Sequence, residues 1–315
     1  MIEEVTHIGT PALAGVLCSP DNGPNAGRPG IVLLSPGLLH RVGPNRLYVN
    51  LARALSADGF GVLRFDFSGK GDSPPRADHL PLERSAVTET RAAIDHIIAQ
   101  TGCSRVLLIG HCSGAVFGLT TAFADERVAG VVAISPEGGD EGWVEFDRRQ
   151  KEARYYTNYY SRGALADRGR WRRLLTGRAD YASITRNVLR SVVWYLISTM
   201  GYRVRNASGT PARSAGERPD VLAFKSGLRS LAERGVPILL IHPDQSAGPE
   251  LLRAMLGDTI EQMHAAGALQ VALISQSDHM FTPLAAQGEL IETVRRWALT
   301  TGSPRPLATT AGGSR

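Results

Sequence analysis

The chain has 315 residues, 43% of them hydrophobic and 21% charged, with a net charge of +5 and a pI near 9.3. That length suits one large domain or a core with an inserted piece, and the composition excludes a disordered, fibrous or low-complexity chain. No run of about 18 uncharged apolar residues is present, so no membrane span is predicted; the nearest candidate, residues 184–201, is interrupted by Arg190.

The N-terminal stretch "MIEEVTHIGT" is acidic and lacks the basic and apolar regions of a signal peptide. Cys18, Cys103 and Cys112 are odd in number and scattered. That pattern predicts free thiols and a cytoplasmic protein rather than a disulfide framework. Strand-like apolar runs then alternate with helical segments. The runs are "ALAGVLCS", "IVLLS", "GVLRFDF", "RVLLIG", "VAGVVAIS", "VPILLIH" and "LQVALIS", separated by pieces such as "RLYVNLARALSADG" and "LERSAVTETRAAIDHIIAQTG". Continuous apolar strands between helices predict a mostly parallel sheet covered on both faces, an α/β class. From 139 to 231 no convincing strand occurs. Helical periodicity and aromatic clusters there predict a helical cap inserted between core segments 1–138 and 232–302. The tail, 303–315, has a disordered composition.

"GHCSG", residues 110–114, places two candidate nucleophiles side by side between "RVLLIG" and the helical "GAVFGLTTAFAD". A G-x-nucleophile-x-G turn from strand to helix holds its central residue in a strained conformation, and its neighbours two positions away must be small. Centred on Cys112, those positions are Gly110 and Gly114. Centred on Ser113, they are His111 and Ala115, and an imidazole does not suit so tight a turn. The register selects Cys112, and Ser113 then contributes its backbone N–H to an oxyanion hole. The second N–H is expected from the loop "PGLLHRVGPNR", at Leu38 or Leu39. The order nucleophile, acid, histidine directs attention to "QVALISQSDHMFTP", where His279 leaves a strand before the last helix and takes the place of the general base. Asp244, directly after "VPILLIH", is the candidate acid that would orient His279; Glu137 in "ISPEGG" is the reserve. His40 and His111 are read as bordering a substrate pocket. The glycine-rich "FDFSGKGDS" is read as a structural turn. Tyr159 and Trp171, among the cap aromatics, are read as lining an acyl pocket. Residues 148–173 hold nine basic and two acidic residues, a face suited to an acidic acyl carrier protein. No metal-ligand spacing, phosphate-binding loop or nucleic-acid module is evident, so no metal, cofactor or nucleic-acid partner is expected.

Together these segments resemble the α/β-hydrolase superfamily. More closely, they resemble the exosortase A system-associated hydrolases, through "PGLLHRVGPNRLYVNLARALSADGFGVLRFDFSGKGDS", "GHCSGA", "YYSRGALADRGRWRRLLTGRADY" and "SDHMFTP". The resemblance spans roughly residues 10–300 and implies the α/β-hydrolase fold, a nucleophile at Cys112 and a base at His279. It also implies an aspartate aligned near Gln245 or Ser246, whereas here the nearest is Asp244. The expected activity is cleavage of an ester or thioester through an acyl-Cys112 intermediate. Two alternatives are transfer of the acyl group to an amine or alcohol, and a non-catalytic binding member of the fold.

Overall fold

In the computed structural model, residues 1–136 and 219–301 are described, apart from 26, 38, 245, 247–251 and 253–255. The chain divides into two compact units, Met1–Gly138 with Asp220–Arg315, and Gly139–Pro219. The proposed cap and the tail therefore lie almost wholly outside the described residues, apart from the stretch 219–231.

The first unit is built on an eight-stranded sheet. Its strands are β1 (Ile2–Ile8), β2 (Leu13–Ser19), β3 (Gly30–Leu34), β4 (Val62–Phe65), β5 (Val106–His111), β6 (Val128–Ile134), β7 (Ile238–Pro243) and β8 (Leu269–Ile274). They lie in the order β1-β2-β4-β3-β5-β6-β7-β8. β1 with β2 and β2 with β4 run antiparallel; every other pair is parallel. The seven apolar runs are seven of these strands. β3, β4 and β5 are buried along their whole length. Burial on both faces is why they read as continuous apolar stretches.

β1 is the strand that the sequence pattern missed. It is an edge strand, exposed at Ile2 and Val5, and its acidic residues disguise it. The register of β2, not its own hydrophobicity, holds it in place. β8, at the other edge, is buried only at its ends, Leu269 and Ile274, and leaves Val271 and Leu273 exposed.

Six helices are described: α1 (Leu47–Ala57), α2 (Leu82–Thr101), α3 (Ser113–Ala124), α4 (Pro219–Glu233), α5 (Asp258–Ala265) and α6 (Leu284–Thr301). Leu47, Leu51 and Leu55 of α1 and Leu290, Val294 and Trp297 of α6 share one core with Leu33, Ile109, Val132 and Ile241 of the sheet. α2 and α3 pack against each other and against the central strands. α4 lies on α3: Phe123 and Phe224 meet edge to face at 5.3 Å, and a Cβ on Gly227 would fall 2.5 Å from the Phe123 ring. Arg234, just past α4, donates to the carbonyls of Ala122 and Asp125 at 2.8 and 3.1 Å, satisfying backbone at the end of α3.

Asp125 closes α3 and is almost fully buried. It accepts from Arg127 Nε at 2.9 Å, Arg127 Nη2 at 2.7 Å, Arg127 N at 3.0 Å and Arg91 Nε at 3.3 Å. The Arg127 guanidinium, against the opposing effect of burial, holds the Asp125 carboxyl below the usual carboxylate range, and the Arg127 backbone and Arg91 add to it. A folded value below the unfolded one, about 3.9, contributes stability above that pH and loses it as pH falls through the folded value. Asp125→Asn should therefore cost about 1–3 kcal/mol at pH 7, with the gap to wild type closing below about pH 4. Urea unfolding at a series of pH values measures both.

Candidate active site

β5 ends at His111 and α3 begins at Ser113, leaving Cys112 alone on the turn between them. Its backbone is at φ 55°, ψ −124°. That is a left-handed φ with an extended ψ, sparsely populated by any residue with a side chain and costing about 1–3 kcal/mol. Two glycines make the turn feasible. A Cβ on Gly110 would lie 2.2 Å from the carbonyl oxygen of Gly114, and a Cβ on Gly114 would lie 2.2 Å from that of Leu34. Both obstacles are backbone and cannot move aside. The ladder continues through the strained residue: Cys112 N donates to Ile134 O of β6 at 2.9 Å. The geometry thus centres the motif on Cys112. Cys112 and Ser113 are half-buried, and none of the three cysteines is in a disulfide.

Tyr48 of α1 braces the turn from below. Its fully buried hydroxyl donates to Leu34 O at 2.7 Å and hydrogen-bonds the backbone of His111. Burial drives the phenol far above its ordinary range, the His111 backbone opposing, so it stays a neutral donor. No motif marks Tyr48 in the sequence, because a tyrosine on the buried stripe of a helix reads as core.

The loop after β3 carries the expected second oxyanion donor. Leu39 N donates to Pro36 O at 3.0 Å, which engages that amide in a turn. Leu38 lies outside the described residues. Gly37 N donates to Ser113 Oγ at 2.8 Å, a contact that the sequence did not suggest. Arg41 anchors the loop's far side. Its backbone N–H donates to Asp66 Oδ1 at 2.5 Å, and its guanidinium pairs with Asp66 and, at 2.6 Å, with Asp72. Asp72 N also donates to the fully buried Asp66, at 3.0 Å. A Cβ on Gly71 would strike that carboxylate at 2.2 Å, so "FDFSGKGDS" is a carboxylate-centred structural turn. His40 is exposed, and its Nδ1 accepts from Val42 N at 3.4 Å.

His279 lies on the loop between β8 and α6, and the structure brings it to the elbow. His111 Nε2 donates to His279 O at 2.8 Å, and the two imidazole rings are 4.8 Å apart. His111 is fully buried and engages the loop after β8. Phe281, also fully buried, meets His111 edge to face at 6.1 Å. Asp278 accepts from Thr282 N at 2.9 Å. Partial burial raises the Asp278 carboxyl, but the bonds from Thr282 and Met280 outweigh it and hold the group below its usual range. Asn45 Nδ2, on the loop after β3, reaches Met280 O and Thr282 Oγ1 at 3.3 and 3.4 Å.

Asp244 is placed differently from expectation. It is exposed, its N–H donates to Ile274 O, and its Oδ2 accepts from Gln276 N at 3.1 Å. Asp244 therefore fastens the root of the base loop, and its described hydrogen bonds do not reach His279. Glu137, Tyr159 and Trp171 lie outside the described residues. Among the described residues no cluster of three metal-ligating side chains occurs, and no helix is long and apolar enough to cross a membrane.

Strained turn, two-sided sheet and histidine loop together have the form of an α/β-hydrolase. The model of the alpha/beta hydrolase family matches residues 31–293, and the chain belongs to that family. Among solved structures it is similar to an esterase from Pyrococcus furiosus (TM-score 0.55, 15% identity, covering 96% of this chain and 92% of that one). It is also similar to a dienelactone hydrolase from Anabaena variabilis (0.52, 15%, 95% and 96%). A thermophilic esterase from Thermogutta terrifontis matches comparably (0.52, 17%, 96% and 100%). At such identities the likeness is one of fold. No curated protein matches the chain.

If the elbow stores strain, removing the Cβ at its tip should release it. Cys112→Gly is expected to be more stable than Cys112→Ala by about 1–2 kcal/mol, the relieved strain less the entropy of an added glycine. Gly114→Ala should cost at least about 1–3 kcal/mol through the clash with Leu34 O. Thermal melts of the three variants measure this; equal midpoints for the two Cys112 variants would show a relaxed turn.

Proposed function

We propose that the protein is a cysteine-nucleophile hydrolase of esters or thioesters acting through an acyl-Cys112 intermediate. The carrying observation is the backbone of Cys112, at φ 55° and ψ −124° between glycines that tolerate no side chain. A fold maintains such strain where the side chain at the turn has work to do. The Cys112 thiol gives its proton to His279 and the thiolate attacks the carbonyl carbon. The backbone N–H of Ser113, which heads α3 and has no partner within the helix, faces the developing oxyanion, with Leu38 N–H as the second donor. Collapse breaks the bond to the leaving thiol or alcohol, which takes the proton from His279, and leaves Cys112 as a thioester. Water then loses its proton to His279, attacks the acyl carbon and restores the thiol.

Cysteine in place of serine also supports a second reading. An acyl-cysteine is itself a thioester, which amines attack more readily than they attack oxygen esters. In that reading the final acceptor is an amine or alcohol and the enzyme is an acyltransferase. The donor is a small-molecule or carrier-bound acyl group. The basic stretch 148–173 supports an acidic carrier protein, and Tyr159, Trp171 and His40 are proposed to border the acyl group. Free thiols and thioester chemistry fit a reducing cytoplasm. For the acid we propose Glu137, the reserve candidate after β6, ahead of Asp244; the bond from Gln276 N to Asp244 Oδ2 supports that order.

Intact-mass spectrometry with a panel of acyl thioesters tests the reading. Wild type and Ser113→Ala should both gain the acyl mass, Ser113→Ala more slowly, and Cys112→Ala should not. Acylation surviving in Cys112→Ala and vanishing in Ser113→Ala would reverse the assignment. His279→Ala should slow acylation by about 10²–10⁴-fold. Asp244→Asn should keep at least about a tenth of the rate while Glu137→Gln loses about 10²-fold; the opposite ranking returns the role to Asp244. Product analysis with and without an added amine distinguishes hydrolysis from transfer.

A further inference from the structure

We propose that the two side chains flanking Cys112 are positioning residues, each tying to the nucleophile one of the loops that must meet it. Ser113 fixes the loop after β3, and His111 fixes the loop after β8. The inference rests on the reading of Cys112 as nucleophile and goes beyond it, because neither side chain reacts.

Ser113 Oγ takes the N–H of Gly37 at 2.8 Å, across 76 residues of sequence. A Cβ on Gly37 would lie 3.3 Å from that hydroxyl, so the approach is close on both sides. With Gly37 pinned and Leu39 N closed onto Pro36 O, the turn 36–39 has its position set from the elbow. On the other side, a carbonyl oxygen can only accept. The bond from His111 to His279 O therefore requires a hydrogen on His111 Nε2 and fixes that nitrogen as a donor. The His111 ring is fully buried against His279 and Phe281, leaving it little room to turn. β3 lies on one side of β5 in the sheet, while β6, β7 and β8 lie on the other. The two side chains thus reach in opposite directions from a single strained residue. An oxyanion donor or a base displaced by about 1 Å can cost 10²-fold in rate, which is what such ties prevent.

Two reactions at Cys112 separate the roles. Alkylation by iodoacetamide, in which sulfur displaces iodide, depends on the thiolate and its imidazole but forms no oxyanion. Acylation by S-acetyl-N-acetylcysteamine depends on the oxyanion donors as well. Both are followed against pH on the full chain, with the label located at Cys112 by peptide mass. Ser113→Ala is expected to slow acylation by about 10–100-fold while its alkylation profile stays that of wild type. His111→Leu should slow both and shift the alkylation profile, and His111→Gln, whose amide can donate to the same carbonyl, should restore most of the loss. If His111→Leu does not fold, His111→Gln retaining the wild-type profile supports the tie and His111→Asn, too short to reach, is the contrast. Equal slowing of both reactions in Ser113→Ala, or a His111→Gln no better than the variants lacking the donor, overturns the proposal. Wild type that takes neither label at Cys112 instead defeats the nucleophile reading beneath it.

Discussion

Everything at this site depends on the contact between the backbone of Gly114 and the carbonyl oxygens of Leu34 and Ser35. α3 starts so close to the end of β3 that a single added carbon would lie 2.2 Å from Leu34 O. That proximity gives the connection from β5 only one residue in which to turn, and the residue must take a positive φ. The strain at Cys112 is thus a consequence of how tightly strand and helix pack, and the surrounding sheet over-determines it. Leu34 O also receives the Tyr48 hydroxyl, so one carbonyl limits the approach of the elbow helix and is itself held in place from α1.

The remaining parts converge on that turn through polar bonds that bridge distant segments. Gly37 reaches it through Ser113, and His279 through His111. Arg41 ties the loop after β3 to the buried Asp66, and Asn45 ties the same loop to the backbone of Met280. Loops carry reacting groups because they are free to vary, but catalysis needs those groups within a fraction of an ångström. Here the side chains next to Cys112 supply fixed points for two of those loops. Asp244 serves the same end by holding Gln276, where the base loop leaves the sheet.

The sequence by itself determined the α/β class, seven of the eight strands and the register of the elbow. Strands buried on both faces must be apolar throughout, and a turn with no room for Cβ must be glycine on either side, so both constraints are written in residue type. It also pointed to the loop after β8, which the bond from His111 to His279 O brings to the turn. β1 was not legible: Glu3 and Glu4 interrupt its apolar residues, its first four residues are exposed, and pairing with β2 is what makes it a strand. The sequence did not choose between Leu38 and Leu39, and the bond from Leu39 N to Pro36 O forms only in the folded loop. Nor could it show what Asp244, Ser113, His111 and Tyr48 bond to. Those partners lie far away along the chain, for Ser113 76 residues and for His111 168, and only packing of the sheet brings them within hydrogen-bonding reach.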